Sequence, residues 1–187
     1  MIIEGGTGSG FKAGVDEHNR LFVLATSDSG FQYTSKNHGM AFSWTTVTAD
    51  IDAGDTAILL CNDNPDLLLC IDSIYLWCDV ATQLKVHVPA YATWAGTAVV
   101  GVNMNRTSNV IAQASCYTDE TGNAFVAANT LLTIHTNELA TDQYASSIDL
   151  KNALFLGYHD SVAVDIIAEP GAFEATIFGY FTEHGVH

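Results

Sequence analysis

Residues 83–88, Q-L-K-V-H-V, put Leu84, Val86 and Val88 on one side of the chain, and residues 161–168, S-V-A-V-D-I-I-A, alternate in the same way. A period of two is that of a strand with one face turned to a core. Runs rich in β-branched, aromatic or aliphatic residues recur at 20–24, 56–61, 67–78, 97–103, 109–116, 123–135, 149–157 and 174–182. Turn signals separate them: Asp52-Ala-Gly-Asp55, Asn62-Asp-Asn-Pro65, Thr121-Gly-Asn123 and Glu169-Pro-Gly171. No strongly amphipathic stretch of twelve or more residues is present. Residues 137–147, N-E-L-A-T-D-Q-Y-A-S-S, fit a single helical turn or a long polar loop.

So many short strands at this spacing predict an all-β domain, an antiparallel jelly roll or β-sandwich, from residue 40 to 187. The runs are slightly long for an immunoglobulin-like domain, and the Cys…Trp…Cys signature of that fold is missing in proper order. Residues 1–39 form an appended, extended arm, rich in glycine at its start, with one short strand at 20–24. No internal repeat is visible.

Charge excludes one class of partner. Six Lys plus Arg stand against 21 Asp plus Glu, a net charge of −15, and no basic cluster overrides it. Such a chain repels nucleic acid. No apolar run reaches the length of a membrane-spanning helix, and residues 1–30 lack the basic and apolar regions of a secretory signal. Neither nucleic acid nor membrane is expected as a partner. Cys61, Cys70, Cys78 and Cys116 show no C-x-x-C spacing, and three lie in apolar runs, so reduced buried thiols are expected.

The stretch E-G-G-T-G-S-G-F-K, residues 4–12, imitates a phosphate-binding loop. Gly5 and Gly10 have the right separation, but Phe11 stands in the lysine position and Ala13 replaces the Mg²⁺-binding hydroxyl. Gly6, Gly8 and Gly10 also miss the dinucleotide spacing. No cofactor is expected.

Catalytic constellations are absent too. The seven histidines, His18, His38, His87, His135, His159, His184 and His187, form no H-x-H or H-x-x-x-H pair. There is no G-x-S-x-G, and with 21 acids a chance carboxylate pair carries no weight. Asp63, Asn64 and Asp66 crowd a turn, but Pro65 and the missing glycine break the EF-hand spacing, which leaves turn chemistry. No catalytic residue and no metal ligand is expected. The aromatics Phe11, Phe31, Tyr33, Phe42 and Trp44 gather near the arm, and Tyr91 and Trp94 lie in P-A-Y-A-T-W. They fit core packing, anchors to a neighbouring subunit, or, for Tyr91 and Trp94, a sugar-stacking platform.

The segment G-G-T-G-S-G-F-K-A-G-V-D-E-H-N-R-L-F-V, residues 5–23, resembles the N-terminus of small virion structural proteins of tailed bacteriophages. The likeness continues in Gly39-Met-Ala-Phe42 and in Asp52-Ala-Gly-Asp55-Thr-Ala-Ile-Leu and covers roughly the first 80 residues. It implies a capsid decoration (cement) protein, not an enzyme. Such a protein is made in the host cytoplasm and seated as a homotrimer on the outer face of the capsid. Its partners would be the major capsid protein and itself. Ile2, Ile3, Phe11, Lys12, Arg20, Phe31 and Tyr33 are then the candidate capsid or subunit contacts. The alternative is a head or tail fibre component or a receptor-binding jelly roll that recognises host glycans through Tyr91 and Trp94.

Overall fold

The computed structural model describes residues 3–4, 12–15, 21–22, 29–48, 51–52, 55–78, 83–89, 93–121, 129–135, 144–167 and 172–183. Three short strands come first: β1 (Ile3–Glu4), β2 (Lys12–Val15) and β3 (Leu21–Phe22). They pair antiparallel in a sheet of their own, with Glu4 opposite Lys12 and Gly14 opposite Phe22.

A helix follows, α1 (Gly30–His38), where an extended arm was expected. Its ends explain it. Ser29 caps the first turn, its hydroxyl accepting from the Gln32 amide while the Gln32 side chain accepts from the Ser29 amide. Gly39 ends the helix in the left-handed region, at φ 61°. The S-x-x-Q and the glycine were legible signals, but nine residues make too short a run to show helical periodicity.

The rest is an antiparallel sandwich of two sheets, as the alternation predicts. Its strands are β4 (Ala41–Thr48), β5 (Thr56–Asn62), β6 (Leu67–Cys78), β7 (Gln83–His87), β8 (Thr97–Val99), β9 (Val102–Asn103) and β10 (Ala114–Thr118). They continue with β11 (Thr130–His135), β12 (Tyr144–Leu156), β13 (Ser161–Ile166) and β14 (Phe173–Glu183). One sheet has the order β11-β7-β13-β5-β10-β8 and the other β12-β6-β14-β4-β9. Along β4, β5, β6, β7, β11, β12, β13 and β14 the chain changes sheet at every step except β7 to β11. The extra strands β8, β9 and β10 are inserted at that step and extend the edges beside β5 and β4.

The core lies between the sheets. In β14, Phe173, Ala175 and Ile177 are buried while Glu174 is exposed. Phe42 and Trp44 of β4 face the same interior with ring centroids 5.9 Å apart. Each fully buried side chain of this size contributes about 1.5–3 kcal/mol. All seven residues of β5 are buried, because both faces of that central strand are covered. The four cysteines are buried and none is in a disulfide, as expected.

Several boundaries differ from the sequence reading. Strand β4 was not among the predicted runs, since the interspersed Ser43, Thr45 and Thr46 dilute its apolar character. Residues 144–147 belong to β12 rather than to a helical turn or polar loop, and 137–143 lie outside the described residues. The run 97–103 is divided between sheets, β8 pairing with β10 and β9 with β4. Residues 109–113 form no strand. The Asp63–Asp66 turn is turn chemistry: Asn64 Oδ1 accepts from the amides of Asp66 and Leu67, at 2.8 and 2.9 Å.

Candidate functional site

Three regions outside the core carry distinctive chemistry. The first is a groove of about 400 Å³ on the outer face of the five-stranded sheet. Tyr75 and Trp77 stand two residues apart on β6, so both side chains point outward. Register places Ser147 and Thr176 on either side of Tyr75, Thr45 beyond Thr176, and Glu174 beside Trp77. The Thr45 and Thr176 hydroxyls are 3.1 Å apart. Tyr75 is 51% exposed, and its ring meets Phe178 edge to face at 5.6 Å. Further down the same face, Ala41, Cys70 and Tyr180 are covered by Phe31 of α1 and by Phe155. Burial, with Cys70 as hydrogen-bond partner, pushes the Tyr180 phenol well above its ordinary value.

The second is the loop that joins β8, β9 and β10. It presents Val100 and Ile111, 82% and 80% exposed, together with Val102, Met104 and Val110. Polar side chains hold it in shape. Asn103 Nδ2 donates to the carbonyls of Gly39 and Val110 at 2.7 and 2.8 Å, and Asn105 Nδ2 donates to Ser35 O at 2.9 Å. Gly101 lies so close to the Trp44 indole that a Cβ there would stand 2.6 Å from its nitrogen. The loop is thus a preorganised apolar ridge tied to the C-terminal end of α1. It also falls in the middle of residues 80–118, which contain no Asp or Glu in a chain that has 21.

The third lies on the outer face of the six-stranded sheet. A register shift, in which Val164 faces Ile58 but Asp165 faces Thr56, leaves Ala57 as an extra residue and brings Thr56 beside Asp165. Thr56 Oγ1 donates to Asp165 Oδ1 at 2.6 Å, and His87 Nδ1 stands 3.0 Å from Asp165 Oδ2. Burial pushes the Asp165 carboxyl up to about 7, with Thr56 opposing and Glu120 and Asp55 adding to the rise. Burial also lowers His87. Both directions favour the uncharged forms, so a shared proton describes this contact better than an ion pair. The segment after β7 is tied to the rim of the cluster: Pro89 O accepts from Ser161 Oγ, and Ala95 N donates to Glu120 Oε1. Thr56, His87, Glu120, Ser161 and Asp165 are at most 1% exposed. A histidine beside a carboxylate has general-base chemistry, and here both groups are out of solvent.

The residues singled out from sequence are dispersed. Ile3 and Lys12 lie on β1 and β2, while Ile2, Phe11, Arg20 and Tyr91 lie outside the described residues. Phe31 is half-buried on its own sheet, 6.1 Å from Phe178 and 6.4 Å from Tyr180. Tyr33 is exposed, with its ring 5.6 Å from that of His38, beside a groove shared with Tyr180 and Glu183. Trp94 is half-buried against Leu59, Cys61 and Ala163. Burial raises the Cys61 thiol beneath it to about 11. Among the described residues no group of three or more His, Cys, Asp or Glu side chains could hold a metal ion.

Two features were missed from sequence. Tyr75 and Trp77 lie inside the apolar run 67–78, which suggests burial on both faces; the outward parity of 75 and 77 emerges only with strand register. The ridge left a legible signal, the acid-free stretch 80–118. Compared with protein-family models and with curated proteins, the chain matches none.

Proposed function

We propose that this chain is a structural protein of a tailed-bacteriophage virion, a capsid decoration protein that binds the outer face of the capsid as an oligomer, a trimer by the resemblance, and stabilises the shell. The observation that carries the reading is the apolar ridge of Val100, Val102, Met104, Val110 and Ile111. Exposed apolar clusters of this kind mark protein contacts. This one is preorganised, so little ordering entropy opposes docking. It also lies in the acid-free stretch of a chain whose net charge of −15 otherwise repels its own copies. The major capsid protein and neighbouring copies are the partners proposed for it. The strand order supports the fold side of the proposal. Two four-stranded sheets, β12-β6-β14-β4 and β11-β7-β13-β5, with the chain changing sheet at nearly every step, have the wiring of two Greek keys, and we take the sandwich as a jelly roll.

The test is co-sedimentation of purified protein with capsids that lack it. Wild type is expected to bind, and the Val100→Asp/Ile111→Asp double variant to lose binding at least about tenfold with its thermal midpoint unchanged. Failure of wild type to bind, or full binding by the variant, would overturn the proposal. Deletion of residues 1–19 probes the arm in the same assay. A second reading, a fibre or receptor-binding module, is favoured by one observation, the groove at Tyr75 and Trp77.

A further inference from the structure

We infer that the outer groove of the five-stranded sheet is a binding site for a neutral oligosaccharide, with Tyr75 and Trp77 as stacking surfaces and Thr45, Ser147, Glu174 and Thr176 as the polar groups that fix orientation. The site is distinct from the ridge at 100–111, and it holds whether the chain sits on a shell or in a fibre.

The composition of the groove selects the ligand class. A sugar ring has an apolar C–H face and a rim of hydroxyls. It needs aromatic faces to lie on and paired donors and acceptors at the sides. Tyr75 and Trp77 supply the faces, roughly 7 Å apart along the strand at 3.3–3.4 Å per residue. The flanking strands supply three hydroxyls and one carboxylate in the same rows. A cavity of about 400 Å³ with mostly apolar walls and a few convergent polar groups is typical of small-ligand sites.

Charge narrows the class further. The lining residues include Glu174 and no Lys or Arg, and the chain carries −15 overall. A phosphate, sulfate or uronate finds no counter-charge there and meets a repulsive field. The Tyr75 ring rests on other aromatics. Phe178 holds the Tyr75 ring edge-on, and Phe31 of α1 in turn meets Phe178. A second copy of this chain is a poorer occupant. Stable protein interfaces take about 800 Å² from each partner with an apolar centre, whereas Phe31 of α1 already covers the end of this face around Cys70 and Tyr180, and three hydroxyls and a carboxylate flank the aromatics.

The test is a panel of neutral and acidic oligosaccharides, measured by titration calorimetry and by tryptophan fluorescence, with oligomeric mass followed by light scattering. At least one neutral oligosaccharide is expected to bind saturably. Tyr75→Ala and Trp77→Ala are each expected to weaken it about tenfold. Tyr158→Ala, an exposed tyrosine outside the groove, is expected to leave it unchanged. If Trp77→Ala fails to fold, Tyr75→Ala and Thr176→Val carry the test, since both sit on the open surface. No saturable binding to any neutral member overturns the inference. So do a preference for acidic glycans, wild-type affinity in folded Tyr75→Ala and Trp77→Ala, and a change of oligomeric mass in those variants without sugar binding. None of these outcomes depends on capsid binding, so the two proposals fail separately.

Discussion

The outer faces of the two sheets use polar residues in opposite ways. On the six-stranded sheet, Thr56, His87, Glu120, Ser161 and Asp165 are out of solvent, and the segment after β7 is bonded to Ser161 and Glu120. On the five-stranded sheet, α1 covers only the end around Cys70 and Tyr180, and Tyr75, Trp77, Glu174 and Thr176 face the groove. Covering a sheet face turns its polar side chains into structure, because each buried polar atom must then be matched within the protein. Leaving a face open keeps them available to a ligand. The histidine and carboxylate that look most like chemistry therefore sit among the side chains taken out of solvent.

The contrast predicts where substitutions cost stability. Asp165→Ala strands His87 Nδ1 and the Thr56 hydroxyl in a closed site, and a loss of about 3 kcal/mol is expected. In a chain of this length that lowers Tm by about 6–12 °C in calorimetry. Trp94→Ala uncovers Leu59, Cys61 and Ala163 and is expected to cost about 2 kcal/mol, with faster thiol labelling of Cys61 as an independent readout. A small loss in either variant would show that the covered face is less closed than its burial indicates.

The pH dependence sharpens the comparison. Asp165 holds its proton more tightly in the folded protein, about 7 against 3.8, so it contributes stability that is complete below about pH 4 and is lost as pH rises through about 7. His87 runs the other way. Its folded value lies below 6.5, so its contribution is present above 6.5 and is lost as pH falls. The two oppose each other in mild acid, and above pH 6.5 the His87 contribution is largely in place, which leaves pH 6.5 to about 8 as the window where Asp165 dominates. Tm is expected to fall across it by about 1–3 °C. Asp165→Asn keeps the hydrogen-bonding shape, and is expected to remove that fall. An unchanged slope in Asp165→Asn would assign the dependence to other acids.

The smallest effect belongs to the open face. Tyr75→Ala is expected to change stability by no more than about 0.5 kcal/mol, because half the side chain already meets water. A loss as large as that of Asp165→Ala would make the groove structural.

Legibility from sequence followed the range of the interaction. Strand β6, Leu67–Cys78, coincided with its apolar run, and β7, β13 and β14 came within two residues of theirs at each end. Strand β4 escaped because Ser43, Thr45, Thr46 and Thr48 occupy half its positions, and α1 escaped although Ser29, Gln32 and Gly39 marked its ends. The candidate site was less legible. Trp94 stands in a loop by sequence, yet it packs against neighbours distant in sequence, whereas Tyr75 and Trp77 looked buried and face outward.

Sequence alone determined the β class and the antiparallel sandwich, and it carries the expectations that charge disfavours nucleic acid and that the glycine-rich start lacks the phosphate-loop pattern. Each of these rests on period, turn chemistry or summed charge, all of which are local or additive. Tertiary structure decided which face of β6 stays open, how Asn103 and Asn105 hold the ridge, and that an extra residue at Ala57 joins Thr56 to Asp165. These depend on register and on which segment closes over which face. A shift of one residue in either would exchange a buried side chain for an exposed one.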